Sequence, residues 1–389
     1  MGSSGPGFSR RSFLGVSALP VLAGFVKHHA LVAYGGALCQ FKNAKLLGLL
    51  TFLGEARVPL NTITNEGLDA RLYSDISSIS PKHFVTPSEM FYLRTAAPEL
   101  QIEDPWTIRI DGRVHKLASI GAQELNGISR NMGFHLMECS GNARATRFGL
   151  IGVASWKGVA ISDILEAKVK PQSDRVMISG VDVYKRNSAT SISGADWVFT
   201  VEQLKATGAF LATEMNGQPL SKNHGAPVRL VVPGWYGCTC IKWVNSVTFV
   251  DENAPSTSQM REFASRTHQQ GIPSLAKDFY PATIEQAAMP IRVEKWLVDE
   301  HIRYKVVGIL WGGTGLVRSL EIRFNPEEEY VRVGDFTHTT NDPWSFWSHW
   351  WDPPAVGTYT IRLRVANSGM ETKRLDAGYY ARSVEVTEI

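Results

Sequence analysis

The sequence lacks several features that would define its class at once. Only 4 of its 389 residues are cysteine, too few for a disulfide framework in a chain of this length. No C-x-x-C-H motif occurs, so no c-type haem is attached to this polypeptide. There is no internal repeat and no long run of like charges, and a net charge of +3 is too small to indicate a nucleic-acid partner. Any anion binding must therefore be local.

The composition is that of a globular protein with more than one core. Hydrophobic residues make up 44% of the chain and charged residues 20%, as in ordinary soluble domains. Since 389 residues exceed the size of one ordinary core, two domains are expected.

The N-terminal segment matches an export signal. Residues 9–14 read SRRSFL, a twin-arginine pattern, and a short apolar stretch over residues 15–26 follows. Lys27 ends that stretch well short of the roughly 20 apolar residues that a membrane span requires. These features predict periplasmic localisation without a stable membrane span, with residues 1–56 as leader and N-terminal adapter. A basic tail before a buried helix is the alternative, and cleavage of the leader stays open.

Two regions with different residue patterns follow. Over residues 57–270, segments typical of strands and of helices are intermixed, including a helix expected at 156–165, which predicts an α+β domain. Over residues 271–389, apolar and polar residues alternate, and turn signals separate short segments. This second pattern predicts an all-β, immunoglobulin-like sandwich domain.

Cys139 carries the strongest chemical signal of the first region. It lies in the segment 137–144, MECSGNAR, where Gly141 would let a bulky group approach the backbone. A thiolate is a strong ligand for a soft or high-valent metal, and metal binding drives its deprotonation. Arg144 adds a group that attracts anions. The simplest alternative is a buried cysteine that only packs.

A second alternative for this thiol is a zinc site. Cys238 and Cys240 are the other cysteines of the region, and together with Cys139 and a histidine they would supply four ligands. A Cys-Thr-Cys spacing is not a usual zinc knuckle, which counts against this reading.

Three basic residues form a second candidate group. Residues 223–229 read NHGAPVR and residues 241–243 read IKW. If these segments lie at the ends of adjacent strands, His224, Arg229 and Lys242 converge and can hold a phosphate. The alternative is a solvated rim of charges.

The segments around Cys139 and over residues 224–243 resemble the sulfite oxidase family, which also includes sulfite dehydrogenases. These are molybdopterin-dependent oxidoreductases with a dimerisation domain, and the resemblance extends from Val58 to the C-terminus. It implies that the Cys139 thiolate binds molybdenum, which the dithiolene of molybdopterin also holds. The cofactor-binding residues that the resemblance implies are Tyr92, Leu93, Arg94, Thr95, Asp182, His224, Arg229, Cys240, Ile241 and Lys242.

The chain departs from the family pattern around the substrate. An asparagine and a histidine follow Arg94 in the family, whereas Thr95 and Ala96 follow it here. The family's active-site tyrosine has no counterpart between positions 258 and 271, where Arg266 and His268 are the candidates for its place.

A substrate arginine from the family's second domain also lacks a clear match. Residues 344–351 contain no arginine, and His349 is the nearest candidate. These departures leave the cofactor prediction intact and weaken the substrate prediction.

The resemblance implies an exported enzyme that oxidises sulfite to sulfate. Arg94 and Arg144 would neutralise the anion while Cys139 anchors and tunes the metal. An external acceptor such as a c-type cytochrome would take the electrons, and a homodimer through residues beyond 289 is implied. Two alternatives stay open: an enzyme that reduces sulfoxide-type substrates or acts on another small oxyanion with the same cofactor, and an exported binding protein without catalysis.

Overall fold

The computed structural model describes residues 43–99, 105–339, 343–366 and 369–389. The twin-arginine segment and the apolar stretch behind it lie outside these residues. Residues from Lys42 to the C-terminus form one compact unit, so the predicted division at residue 270 stays a prediction. No helix in the described ranges is long and apolar enough to cross a membrane.

The described residues contain short helices and many strands. The strands are β1 (Ala44–Leu50), β2 (Phe52–Leu53), β3 (Thr107–Gly112), β4 (Ala118–Gly121), β5 (Arg130–Glu138), β6 (Ile151–Ala160), β7 (Arg175–Gly180), β8 (Asp196–Thr200), β9 (Phe210–Met215), β10 (Gln218–Pro219), β11 (Arg229–Val231), β12 (Val244–Val250), β13 (Ala287–Val298), β14 (His301–Trp311), β15 (Leu320–Arg323), β16 (Val331–Arg332), β17 (Asp335–Phe336), β18 (Ser345–Trp351), β19 (Gly357–Val365) and β20 (Arg382–Val386). The α-helices are α1 (Ala122–Ile128), α2 (Ile161–Lys168), α3 (Val201–Ala206), α4 (Ser258–Phe263) and α5 (Lys373–Asp376).

The first region is a sheet-rich α+β arrangement, in line with the predicted fold class. One sheet has the order β10-β9-β6-β5, with β11 also paired to β9, and a second has the order β4-β3-β12-β7-β8. Strands β3 and β12 pair in parallel, and the other pairs are antiparallel. The predicted site residues come from the loop before β3, the chain after β5, the link after β7, and the chain from just before β11 to the start of β12.

The second region consists mainly of strands, as predicted, and its α-helix among the described residues is the short α5. Its two five-stranded antiparallel sheets have the orders β1-β13-β14-β18-β17 and β16-β15-β19-β20-β2. Trp351 of one sheet stacks on Phe324 with ring centroids 4.1 Å apart and meets Tyr359 edge-on at 4.8 Å. Aromatic side chains therefore fill the space between the sheets. Strands β1 and β2 belong to these sheets, so the residues expected to act as an adapter complete the β region. The immunoglobulin-like form of the sandwich stays a prediction.

One predicted helix is partly wrong. Residues up to Ala160 belong to β6, and only the part from Ile161 onward is helical. Both faces of β6 are largely buried, so its apolar residues do not alternate clearly with polar ones. Ile164 and Leu165 do face the core from α2, as their spacing predicts.

Candidate active site

A single cavity collects the predicted site residues except one. It encloses about 870 Å³ including its open mouth. Its walls come from the loop before β3, the turn after β5, the link between β7 and β8, the chain from just before β11 to the start of β12, and helix α4. The predicted residues that line it are Tyr92, Leu93, Arg94, Thr95, Cys139, Asp182, His224, Arg229, Cys240, Ile241 and Lys242. Arg144 is the predicted site residue that does not line it.

Cys139 lies in a hydrogen-bonded turn directly after β5. Its backbone N–H donates to the carbonyl of Leu150 at 2.9 Å, and its own carbonyl accepts from the N–H of Asn142 at 2.9 Å. The Asn142 side-chain oxygen accepts from the N–H of Leu150 at 3.0 Å, which closes the turn. Gly141 donates its N–H to the Cys139 sulfur at 3.5 Å. The sulfur is therefore held in place at the cavity wall.

The surroundings of the thiol oppose its ionisation until a cation binds. Burial raises the pKa of Cys139, while the hydrogen bond from Gly141 and the charges of Arg94 and Arg266 act in the opposite direction. A bound metal would offset the cost of burying the charged thiolate, because coordination stabilises the thiolate directly.

The zinc alternative has no ligand set in the part of the chain that the structure describes. Cys238 and Cys240 line the same cavity as Cys139. Nevertheless, no group of three or more histidine, cysteine or acidic residues among the described residues is arranged to hold a metal ion.

His224 is a neutral histidine inside the cavity wall. Its Nε2 lies 2.9 Å from the carbonyl of Ser88. Burial, followed by the charges of Arg229 and Lys242, lowers the pKa of His224 to about 3. The ring is therefore uncharged near pH 7, so Nε2 donates to that carbonyl and Nδ1 is left as an acceptor.

Arg229 and Lys242 place positive charge beside the His224 ring, and few negatively charged groups lie nearby to balance it. The Arg229 guanidinium donates to the carbonyls of His224 at 3.1 Å and Cys240 at 3.3 Å, while its buried Nε has no hydrogen-bond partner among the described residues. The Lys242 ammonium donates to the carbonyls of Thr95 at 2.7 Å and Asn223 at 3.1 Å.

The pKa of Lys242 shows how costly this charge is. Burial and then the charge of Arg229 lower the pKa to about 7, and the charge of Asp182 opposes that change. The Asp182 carboxylate also accepts a hydrogen bond from the N–H of Gly194 at 2.6 Å. A buried and a partly buried cation, with one nearby carboxylate and an unused donor, fit the phosphate group of a pterin cofactor. The alternative of a solvated rim is wrong for Arg229, which is buried.

Arg94 reaches the cavity from the loop before β3. It donates to the hydroxyl of Ser191 at 2.7 Å and to the carbonyl of Thr190 at 3.2 Å. Arg71 donates to the Arg94 carbonyl at 2.6 Å and so holds the loop. Arg94 and Cys139 thus line the same cavity, and the substrate-binding role of Arg94 stays a prediction.

Arg144 requires a correction. It is exposed, and its guanidinium donates to the carbonyl of Ala381 at 2.6 Å instead of facing the cavity. Its charge contributes to lowering the pKa of Arg382, so it lies on that side of the turn. Phe148, four residues further on, is fully buried and packs against Tyr380, the neighbour of the residue whose carbonyl Arg144 binds.

Arg266 and His268, the candidates for the place of the absent tyrosine, take different directions. A Cβ built on Gly141 would lie 3.8 Å from both the Cys139 sulfur and Nη1 of Arg266. Nε2 of His268 instead lies 3.2 Å from the carboxylate of Glu285. Arg266 is therefore the one beside the thiol.

Arg374 is the arginine that the second region brings to the turn around Cys139. It donates to the carbonyls of Ser140 at 3.1 Å and of Arg266 at 2.7 Å. His349, the sequence candidate for this role, instead accepts from the N–H of Gly334 at 3.3 Å and packs on Phe324. No local motif marks Arg374, so sequence reasoning had no signal for it.

Two carboxylates near the thiol were also missed. Glu138 is fully buried, and it accepts from the indole of Trp311 at 2.8 Å and from the amide of Asn142 at 3.2 Å. Burial raises the pKa of Glu138. Glu262 lines the cavity, where burial raises its pKa and the charges of Arg94 and Arg266 oppose that change. Glu138 adjoins Cys139 in sequence, which was the only available signal.

Comparison with known proteins agrees with this geometry. The family model for the oxidoreductase molybdopterin binding domain matches residues 94–258. The chain is 27% identical over 200 residues to sulfite oxidase from Gallus gallus, an alignment that covers 47% of this chain and 43% of that protein. It is 25% identical over 305 residues to an NADPH nitrate reductase from Beauveria bassiana, which covers 67% of this chain and 33% of that protein. The chain thus spans less than half the length of these relatives.

A solved structure shares the fold. The sulfane dehydrogenase SoxCD from Paracoccus pantotrophus superposes with a TM-score of 0.60 at 19% identity, and the match covers 78% of each chain. At this identity the likeness shows the fold alone.

Proposed function

Because this chain belongs to the sulfite oxidase family of molybdopterin-dependent oxidoreductases, we propose that it oxidises sulfite to sulfate. The observation that carries this proposal is a buried thiol, held by its turn, that shares one cavity with the basic residues His224, Arg229 and Lys242 and with the guanidinium of Arg94. Sulfite oxidase from Gallus gallus is among the similar proteins, which supports the choice of substrate.

Some residues of the cavity would bind the cofactor and others would bind the substrate. When bound, the molybdenum–pterin cofactor supplies two-electron redox chemistry at the metal. Cys139 would hold the metal, and His224, Arg229 and Lys242 would hold the pterin and its phosphate. Arg94 would bind and orient the oxyanion, with its guanidinium already fixed by Ser191.

The overall reaction consumes sulfite and one water and yields sulfate, two protons and two electrons. Since the chain has no c-type haem motif, the electrons would pass to an external acceptor such as a c-type cytochrome. We further propose periplasmic localisation, supported by the twin-arginine pattern of residues 9–14, and a homodimer through the β region. The strand-rich region after residue 287 supports the dimer proposal, because the family resemblance implies pairing there.

A reductase of another small oxyanion or of a sulfoxide is the second candidate function. Two observations favour it: the absent family tyrosine, and the carboxylate of Glu262 in the cavity, which could supply protons to a reduced product. The presence of an NADPH nitrate reductase among the similar proteins also supports a change of substrate.

Reduction of the purified holoenzyme by sulfite tests the proposal. The enzyme is produced with its maturation machinery, its molybdenum is quantified by elemental mass spectrometry, and its visible absorbance is followed under anaerobic addition of sulfite. We expect stoichiometric bleaching and steady-state reduction of added cytochrome c. A molybdenum-loaded enzyme that sulfite does not bleach would refute sulfite oxidation and favour the reductase. The absence of molybdenum would favour the non-catalytic binding protein.

A further inference from the structure

We propose that Arg266, and not Arg144, is the second cation that binds the oxyanion substrate beside Cys139. The inference rests on the proposed function, since it concerns the anion site of that reaction. Arg144 is the residue at the family's motif position, yet its guanidinium is bound to the carbonyl of Ala381 on the far side of the turn. The anion site would then have only Arg94 unless another segment supplies a cation.

Arg266 and the sulfur of Cys139 both lie close to Gly141 in the turn. The point where a Cβ on Gly141 would lie is 3.8 Å from both the Cys139 sulfur and Nη1 of Arg266, so these two atoms are at most twice that distance apart. Because residue 141 is glycine, it adds no side chain of its own to the space near these two atoms. At this separation we expect the guanidinium to reach a small tetrahedral or pyramidal oxyanion bound beside the sulfur.

The guanidinium of Arg266 is available for a ligand. Within the described residues it makes no hydrogen bond or ion pair, and its one ring contact is with Phe263 at 5.3 Å. By contrast, Arg94 already donates to Ser191, and Arg374 to the carbonyls of Ser140 and Arg266. A guanidinium near a buried thiol with its donors unused is a preformed oxyanion-binding group.

Contacts of its backbone fix the position of Arg266. Its carbonyl accepts from Arg374, which also binds the carbonyl of Ser140 and so ties this segment to the turn around Cys139. Thr267 caps the same segment through a hydrogen bond of 2.9 Å to the carbonyl of Phe263. Little conformational entropy remains to be lost by the backbone when an anion binds.

Sulfate binding to the oxidised holoenzyme tests this assignment without turnover. We would compare wild type, Arg266→Gln, Arg266→Lys and the matched control Arg144→Gln by equilibrium dialysis with labelled sulfate, each at equal molybdenum content. Loss of a charge-assisted contact predicts an affinity for sulfate that is about 10- to 100-fold weaker in Arg266→Gln. Arg266→Lys should lose less, and Arg144→Gln should stay within about twofold of wild type.

The outcomes separate this inference from the proposed function. Weaker binding in Arg144→Gln with unchanged binding in Arg266→Gln overturns the inference, and so does a wild-type holoenzyme that binds no sulfate. Should Arg266→Gln fail to fold, Arg266→Lys with unchanged affinity would overturn it equally. A wild-type enzyme that binds sulfate through Arg266 but is not reduced by sulfite would refute the proposed reaction and leave the anion site intact.

Discussion

Replacement of Lys242 by methionine should stabilise the cofactor-free protein. The same replacement should lower the affinity of the protein for the cofactor. Methionine is similar in length and lacks the charge. In the cofactor-free protein the ammonium is partly buried beside Arg229, which is why its pKa falls from 10.5 to about 7. A bound phosphate would offset this repulsion, so the same charge that destabilises the empty site would hold the cofactor.

The lowered pKa sets both the sign and the pH window of the effect. A lysine whose folded-state pKa lies below its unfolded-state value binds protons more weakly in the folded protein. Its charge therefore costs stability below pH 7, and that cost fades as the pH rises from about 7 toward 10.5. Since a tenfold change in proton affinity corresponds to about 1.4 kcal/mol, the cost is at most ~5 kcal/mol at pH 6 and ~2 kcal/mol at pH 9.

The loss of two hydrogen bonds reduces the stability that the replacement adds. Methionine cannot donate to the carbonyls of Thr95 and Asn223, at a cost of roughly 1 kcal/mol each. We therefore expect Lys242→Met to raise the free energy of unfolding by about 2 to 3 kcal/mol at pH 6 and to change it little at pH 9.

Urea unfolding of cofactor-free protein at both pH values measures this difference. Lys222→Met, which removes an exposed lysine from the neighbouring turn, is the control and should have little effect at either pH. Pterin retained after purification of the loaded protein gives the second readout, and it should fall in Lys242→Met. A variant that is less stable than wild type at pH 6, or that keeps its pterin in full, would contradict the reasoning.

Two further variants probe the thiol and the cavity carboxylate. Cys139→Ser should abolish turnover while most of the pterin stays bound, because His224, Arg229 and Lys242 remain; fluorescence of the released, oxidised pterin measures retention, and its complete loss would show that the thiol dominates cofactor binding. Glu262→Gln should tighten sulfate binding to the holoenzyme by roughly threefold near pH 7, because it removes a negative charge beside Arg94 and Arg266. That gain should vanish at a pH where Glu262 is protonated in wild type, and a gain that does not depend on pH would indicate a change in packing instead.

The strongest sequence predictions came from residues whose function requires close spacing along the chain. Cys139 and Gly141 act through one turn, and His224 and Arg229 lie at the start of one short strand. Local sequence can specify such arrangements, because a turn or a strand end fixes the relative positions of residues a few places apart. The capping box of α3, in which the Thr200 side chain accepts from the N–H of Gln203, is another such local arrangement.

Local sequence pattern failed to predict the features that depend on tertiary packing. Strand β6 is largely buried on both faces, so periodicity could not separate its last residues from the helix that follows. Arg144 lies at the motif position, but its guanidinium is hydrogen-bonded to the distant carbonyl of Ala381 and lies outside the cavity.

The sequence by itself determined the identity of the thiol, the basic group and the strand-rich pattern of the second region. Only the tertiary structure decided which cations surround the thiol. Three segments that lie far apart in sequence supply Arg94, Arg266 and Arg374. These arginines approach the turn around Cys139 because the first and second regions pack against each other there. The direction of each side chain at such a contact depends on how the buried groups around it pack. The spacing of residues along the chain does not specify that packing.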